Sequence, residues 1–354
     1  MSKRGWFVVL VALLAGVALS SLTACNSSSN NVALSGAGST FVYPVMTRWI
    51  HDFSQSHSNV QINYQSIGSG GGIQQVKAKT VDFGASDAAL SDQQLATMQP
   101  LIQIPESAGP VCITYNLPGL TQPLRLSPEA LAGIFLGTVK TWHDPVLQKD
   151  NPGVKLPAVN VIVSHRSEGS GTTNIFTTYL SAVSPDWKQK VGAGPAVSWP
   201  VGIGGKGSEG VTGNIRNSPG AIGYVELTYA QQNQLPTAAI KNAAGQYVQP
   251  TAEGTTAAIA AFSAQLSQDP RSPIVNAPAS AANAYPICGL TFLIIPKDGP
   301  DKAKRTALKQ FIQYIITDGQ AIAGSLNYAP LPDEVKQYDQ QQLQQLTGDG
   351  QPLS

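Results

Sequence analysis

The chain has 354 residues, 22 of them basic and 21 acidic, for a formal charge of +1, and only 12% are charged. So sparse a charge leaves no basic face to displace counterions from a phosphodiester backbone, which excludes nucleic acid as a partner. Glycine and proline are abundant, 34 and 25 residues, and the length exceeds that of one hydrophobic core, so two domains are expected.

In chain order, Lys3 and Arg4 precede an apolar run from Trp6 to about Leu19. It is the charged-then-apolar start of an export signal, too short for a comfortable spanning helix. It ends in Leu22-Thr23-Ala24-Cys25, which resembles the lipobox of bacterial lipoproteins. Residues 1–24 are therefore expected to be removed and the Cys25 thiol acylated with palmitate, tethering the chain to a membrane on its periplasmic or extracellular face. Losing Lys3 and Arg4 turns the balance slightly acidic. Residues 25–32, with Asn26-Ser27-Ser28-Ser29-Asn30-Asn31, are polar and aperiodic, a flexible tether. No later run is apolar for long enough to span a bilayer.

Beyond the tether, strand and helix signals alternate, the pattern of an α/β fold. Val42, Val45, Met46, Trp49, Ile50 and Phe53 keep the 3.6-residue rhythm of an amphipathic helix, with Ser39 or Thr40 as its cap and Pro44 in its first turn. Val60, Ile62 and Tyr64 alternate as in a strand, and 81–85 reads as a second one. Ser91 and Gln94 form a capping box. A new unit begins beyond Pro118-Gly119: Ser127-Pro128-Glu129 opens a helix, Val159, Val161 and Val163 form a strand, and Ile175, Phe176, Tyr179, Leu180 and Val183 face inward from the next helix. The run 288–296 is strongly β-prone, followed by a helix carrying Leu308, Phe311, Ile312 and Ile315 that stops near Gly319. The Gln-rich stretch 340–345 reads as a surface helix. Cys112 and Cys288 lie in two β-like runs and are open to two readings, a disulfide in an oxidising compartment or two buried free thiols.

Three glycine-rich segments stand where helices should begin: Gly36-Ala37-Gly38-Ser39-Thr40-Phe41, Gly68-Ser69-Gly70-Gly71-Gly72, and Arg166-Ser167-Glu168-Gly169-Ser170-Gly171-Thr172. Glycine lets the backbone approach a ligand, and free N–H groups at a helix start attract an anion. Each alone is ordinarily a tight turn with a capping hydroxyl. Three together, one with an arginine, point to an oxyanion site.

These stretches, with Val81-Asp82-Phe83-Gly84-Ala85-Ser86-Asp87, Trp199-Pro200-Val201-Gly202, Gly204-Gly205-Lys206-Gly207 and the run 219–226, resemble the phosphate-binding proteins of high-affinity phosphate ABC transporters. The resemblance weakens after about Ala230 and returns at 291–297 and 326–332. It implies a two-domain Venus-flytrap fold with two crossover strands at the hinge, near 114–116 and 285–287. Domain I would hold residues 33–117 plus 285–354, and domain II residues 118–284. It also implies a phosphate shell of Thr40, Phe41 through its N–H, Ser69, Asp87, Arg166, Ser170, Gly171 and Thr172, with Glu168 steadying Arg166. Departures at Ser39, Gly70 and Asn174 fall between these positions. The implied partners are inorganic phosphate and the transporter's membrane permease subunits, the chain acting as a monomer without metal, cofactor or catalytic residues.

In that shell Asp87 acts as a test for a proton: it accepts a hydrogen bond from protonated phosphate and repels sulfate, which has no proton to give. Other readings are a binding protein for sulfate or molybdate, a phosphatase on the same scaffold, and a surface adhesion or signalling protein. A phosphatase would need a metal or a nucleophile that the sequence does not assemble. His51, His57, His143 and His165 lack metal-ligand spacing, with His165 structural, and no G-x-S-x-G elbow occurs. Gly202–Gly207 fits G-x-G-x-x-G formally but lacks a clear strand-then-helix context, and reads as a packed loop near the cleft.

Overall fold

The computed structural model describes residues 31–353. The signal segment, Cys25 and all but the end of the tether lie outside the described residues. The strands in chain order are β1 (Val32–Gly38), β2 (Val60–Ser66), β3 (Phe83–Ser86), β4 (Leu101–Tyr115), β5 (Arg125–Leu126), β6 (Ile162–Arg166), β7 (Ile203–Gly205), β8 (Ala221–Glu226), β9 (Ala239–Lys241), β10 (Tyr247–Val248), β11 (Cys288–Pro296), β12 (Thr347–Gly348) and β13 (Gln351–Pro352). Eight form one sheet in the order β2-β1-β3-β11-β4-β8-β6-β7. A three-stranded sheet (β10-β9-β5) and the β12-β13 pair complete the strands among the described residues.

Within the large sheet β1 pairs in parallel with β2 and β3, and β6 with β7 and β8. Parallel neighbours need crossover connections, and helices supply them. Helix Tyr43–Ser56 joins β1 to β2, Ser69–Lys77 leads from β2 toward β3, and Gly207–Asn217 joins β7 to β8. In such an arrangement loops at strand C-terminal ends and helix N-termini gather at one edge, where ligands bind.

The two groups of parallel strands are joined by antiparallel β4 and β11. Residues 101–110 of β4 pair with β11 and its last five, Val111–Tyr115, with β8. Every residue of β4 except Leu101 is buried. Its apolar residues fit a strand covered on both faces, and Gln103, Glu106, Ser107 and Thr114 are polar residues buried within it. The strand changes partner at Pro110–Val111, and there the Val111 N–H donates to Ile287 O at 2.8 Å. The chain just before β11 thus returns beside the middle of β4.

Apolar side chains cover both faces. On one flank Trp49 and Phe53 of helix Tyr43–Ser56 pack with Phe83 and Phe311, with Phe53 and Phe311 edge-to-face at 5.2 Å. On the other, Phe135, Phe176, Trp199 and Tyr224 stack together. Each such buried ring contributes roughly 1.5–3 kcal/mol from burial. Among the described residues no helix is long and apolar enough to cross a membrane.

Several local expectations need adjustment. Helix Tyr43–Ser56 has Val42 at its N-cap and no side-chain cap, because the hydroxyls of Ser39 and Thr40 are engaged elsewhere. The second strand runs over Phe83–Ser86 rather than 81–85. The strand expected around Val159–Val163 begins at Ile162, since pairing of Ile162 with Ala221 of β8 fixes its start and leaves Val159 44% exposed. The Ser91–Gln94 capping box forms as expected, and Ser127 caps its helix. Cys112 and Cys288 are free and buried. Each thiol has its own partner, Val225 O at 3.3 Å for Cys112 and Tyr285 O at 3.2 Å for Cys288, and the two sit in different core clusters, so the disulfide alternative does not hold.

Candidate functional site

The three glycine-rich segments meet. Ser69 opens helix Ser69–Lys77, preceded by Gly68 at φ 86°, a left-handed turn that suits glycine. The Ser69 hydroxyl accepts from the Gly171 N–H at 3.0 Å and from the Asp87 N–H at 3.3 Å. The Gly70 N–H donates to Gly169 O at 2.9 Å. Gly171 is the first residue of helix Gly171–Val183, capped by the Ser170 hydroxyl, which accepts from Thr173 N at 3.1 Å. A Cβ at Gly171 would lie 2.6 Å from Cα and Cβ of Asp87. Only glycine admits that approach.

Asp87 follows β3 and is 4% exposed. Its Oδ1 accepts from the hydroxyls of Ser39 and, at 3.3 Å, Thr291; its Oδ2 accepts from Thr172 Oγ1 at 3.1 Å. Burial lifts its carboxyl to about 6, against the downward pull of the Ser39 hydroxyl, the Arg166 charge and the other two hydroxyls. Arg166, at the end of β6, is 4% exposed. Its Nη1 donates to Thr172 Oγ1 at 3.4 Å, while Nε (2.7 Å) and Nη2 donate to Glu168 Oε1. The same carboxylate oxygen accepts from Gly207 N–H at 3.1 Å. Two of the guanidinium's nitrogens are thus held by one Glu168 oxygen.

Thr40 is buried and lies hydroxyl to hydroxyl with Ser208 at 2.9 Å, and its carbonyl accepts from Tyr229 OH at 2.8 Å. The Phe41 N–H is held by Ser39 Oγ at 3.0 Å. Ser69, Asp87, Arg166, Gly171 and Thr172 are therefore linked to one another by hydrogen bonds, with Ser170 capping the same helix. Phe41 joins through Ser39, and Thr40 meets Ser208, whose chain neighbour Gly207 donates to Glu168. The chemistry of this cluster is that of an anion receptor: hydroxyls, backbone N–H groups and one guanidinium, with one carboxylate among them.

Sequence reasoning missed four members. Ser39, a departure that falls between the expected contact positions, supplies a hydroxyl to Asp87. Ser208 stands at a fourth glycine-rich helix start, Gly207–Asn217, which follows β7; that short strand lies inside the stretch Gly202–Gly207 and not ahead of it. Thr291 opens the stretch 291–297 of β11 where the resemblance returns, and Glu106 comes from β4; neither position has a local motif that marks it as part of the site. Thr291 Oγ1 reaches Glu106 Oε1 at 3.1 Å as well as Asp87. His165 is structural: its Nδ1 lies 2.9 Å from Arg166 O and its ring stacks on Trp199. Among the described residues no cluster of three His, Cys, Asp or Glu side chains forms a metal-holding group.

A family model described as a PBP superfamily domain matches residues 25–319. The chain is 45% identical over 313 residues to the phosphate-binding protein PstS of Xylella fastidiosa, covering 88% of this chain and 85% of that one. This chain belongs to the phosphate-binding protein family. PstS of Haemophilus influenzae is 40% identical over 338 residues, covering 95% of this chain and 96% of that protein. A phosphate-binding protein from Stenotrophomonas maltophilia shares the fold at a TM-score of 0.67 and 17% identity, covering 86% and 92% of the two chains.

Proposed function

We propose that this protein binds inorganic phosphate outside the cytoplasm and delivers it to the permease subunits of an ABC phosphate importer. The observation that carries this reading is the convergence of Ser69, Gly171, Thr172 and Arg166 on Asp87, one buried carboxylate among neutral donors and a single cation. Phosphate at neutral pH keeps a proton and can give it to Asp87. Sulfate or molybdate has none to give and would set its charge against the carboxylate. The protein acts as a receptor rather than an enzyme.

The phosphate contacts are assigned to Thr40, the Phe41 N–H, Ser69, Asp87, Arg166, Ser170, Gly171 and Thr172, with Glu168 orienting Arg166. The domains are assigned as residues 33–117 plus 285–354, and 118–284. In support, β4 pairs with β11 along its first part and with β8 along its last, and the contacts divide between the two groups of strands. Closure on the ligand would be favoured because only then do both sets of donors reach it. Cys25 is assigned as the lipid anchor of a monomer; the family match beginning at residue 25 is in keeping with a leader that ends before it.

The test is titration calorimetry on the purified chain with phosphate and with sulfate at pH 7.5. Tight phosphate binding, at least about 10³-fold stronger than sulfate, is expected for a site built around a required hydrogen bond. Equal affinity for both would end this reading.

A further inference from the structure

Adjacent strands β3, β11 and β4 bring Asp87, Thr291 and Glu106 into a row across the sheet. All three are buried: Asp87 is 4% exposed, Thr291 and Glu106 0%. The single Thr291 hydroxyl lies 3.3 Å from Asp87 Oδ1 and 3.1 Å from Glu106 Oε1. A hydroxyl has one proton to give and lone pairs to receive with. It can donate fully to only one carboxylate, so both contacts are full hydrogen bonds only when one of the two acids donates.

Which one donates follows from what else surrounds each. Asp87 receives the Ser39 and Thr172 hydroxyls besides Thr291 and feels the Arg166 charge. Glu106 Oε2 is buried with no hydrogen-bond partner, and no salt bridge reaches Glu106 among the described residues. The titratable groups facing it are Asp87, beyond Thr291, and the Tyr64 hydroxyl. Gln320 Nε2 donates to the Glu106 backbone carbonyl at 3.0 Å and to Ile315 O at 2.8 Å, not to the Glu106 carboxyl. An ionised carboxylate would bury a bare charge there, whereas a neutral acid leaves only a carbonyl oxygen unpaired, a far smaller penalty.

We infer that Glu106 is a positioning residue that stands as a neutral acid and donates to Thr291, committing the Thr291 proton to Asp87 and holding Asp87 as an acceptor. The inference rests on the phosphate reading of the site and deepens it. Burial, with the nearby Asp87 charge adding to it, raises the Glu106 carboxyl to about 8 despite the Thr291 hydrogen bond, in the same direction. An ionised Glu106 would instead draw the Thr291 proton away and set a second negative charge beside the anion. Asp87 would then favour protonation, become a donor, and lose its preference for a ligand that carries a proton.

The experiment compares the full chain with Glu106→Gln and Glu106→Met. Infrared difference spectra, unliganded wild type minus Glu106→Gln at pH 7, should show a protonated carboxyl C=O stretch that the variant lacks. Calorimetry with phosphate and sulfate should show Glu106→Gln within about threefold of wild-type discrimination, because its amide N–H takes over the donor role. Glu106→Met should lose about tenfold or more of the phosphate-over-sulfate ratio, as expected for a lost buried hydrogen bond that also frees its partner. A carboxylate band in the difference spectrum, loss of discrimination in Glu106→Gln equal to that in Glu106→Met, or full discrimination in a folded Glu106→Met would each overturn the inference. The infrared measurement needs no ligand. It therefore still reports on Glu106 if wild type fails to bind phosphate, a failure that would instead remove the functional reading.

Discussion

Two glutamates flank the binding cluster, and the structure treats them in opposite ways. Glu168 meets a guanidinium: Oε1 takes two Arg166 N–H groups and the Gly207 N–H. Glu106 meets one hydroxyl, shared with Asp87, and no cation. The first corner is an ion pair that aims the positive charge at the site. The second is an uncharged support that aims a proton. The same side chain does either job, and the number and charge of its donors decide which.

Breaking the charged corner should have the largest effect. Arg166→Met removes the site's cation and leaves Glu168 without its partner. Truncating one member of a buried hydrogen-bonded charge pair costs about 2–5 kcal/mol, so phosphate affinity should fall at least about thirtyfold by calorimetry. A loss under threefold would mean that the guanidinium does not face the ligand.

Sharpening the uncharged corner calls for stability against pH. Glu106 and Glu226 are both raised by burial to about 8 from an ordinary 4.5. Folded, they hold protons that the unfolded chain releases above that ordinary value. Their contribution to stability is thus complete below about 4.5 and is lost as pH rises through about 8. Urea denaturation between pH 5 and 9 should show stability falling by several kcal/mol, since each group contributes about 1.4 kcal/mol per pH unit between its two values. Glu106→Gln should flatten part of that slope, and an unchanged slope would contradict a neutral Glu106.

The smallest effect belongs between the corners. Ser39→Ala removes one hydroxyl from Asp87 and the acceptor that holds the Phe41 N–H. A loss of about 1 kcal/mol, or roughly fivefold in phosphate affinity, is expected by calorimetry.

Much of the charged corner was legible in the sequence, because its parts lie close together in the chain. Arg166, Glu168 and the glycines to Thr172 form one segment between a strand and a helix, and each residue type there has a local reason. Helix Tyr43–Ser56 and β11 were legible from periodicity and β-branched content. The uncharged corner was not. Glu106 and Thr291 are 185 positions apart; Thr291 sits inside an apolar run and Glu106 in the mixed stretch Gln103-Ile104-Pro105-Glu106-Ser107, neither of which forms a local motif. Only the adjacency of β3, β11 and β4 places them against Asp87, and adjacency comes from tertiary pairing rather than local pattern. Ser39 was misjudged for a related reason: its local role as a helix cap was outweighed by a carboxylate 48 residues away.

The claim on which the rest depends is that Asp87 receives a proton from the ligand. It is tested most directly by measuring phosphate and sulfate affinities of wild type and Asp87→Asn side by side at pH 7.5. An amide can donate to an unprotonated oxygen and carries no charge to repel it. The account predicts that sulfate gains, phosphate loses, and their ratio collapses by about 10² or more. A folded Asp87→Asn protein that kept the wild-type ratio would contradict it.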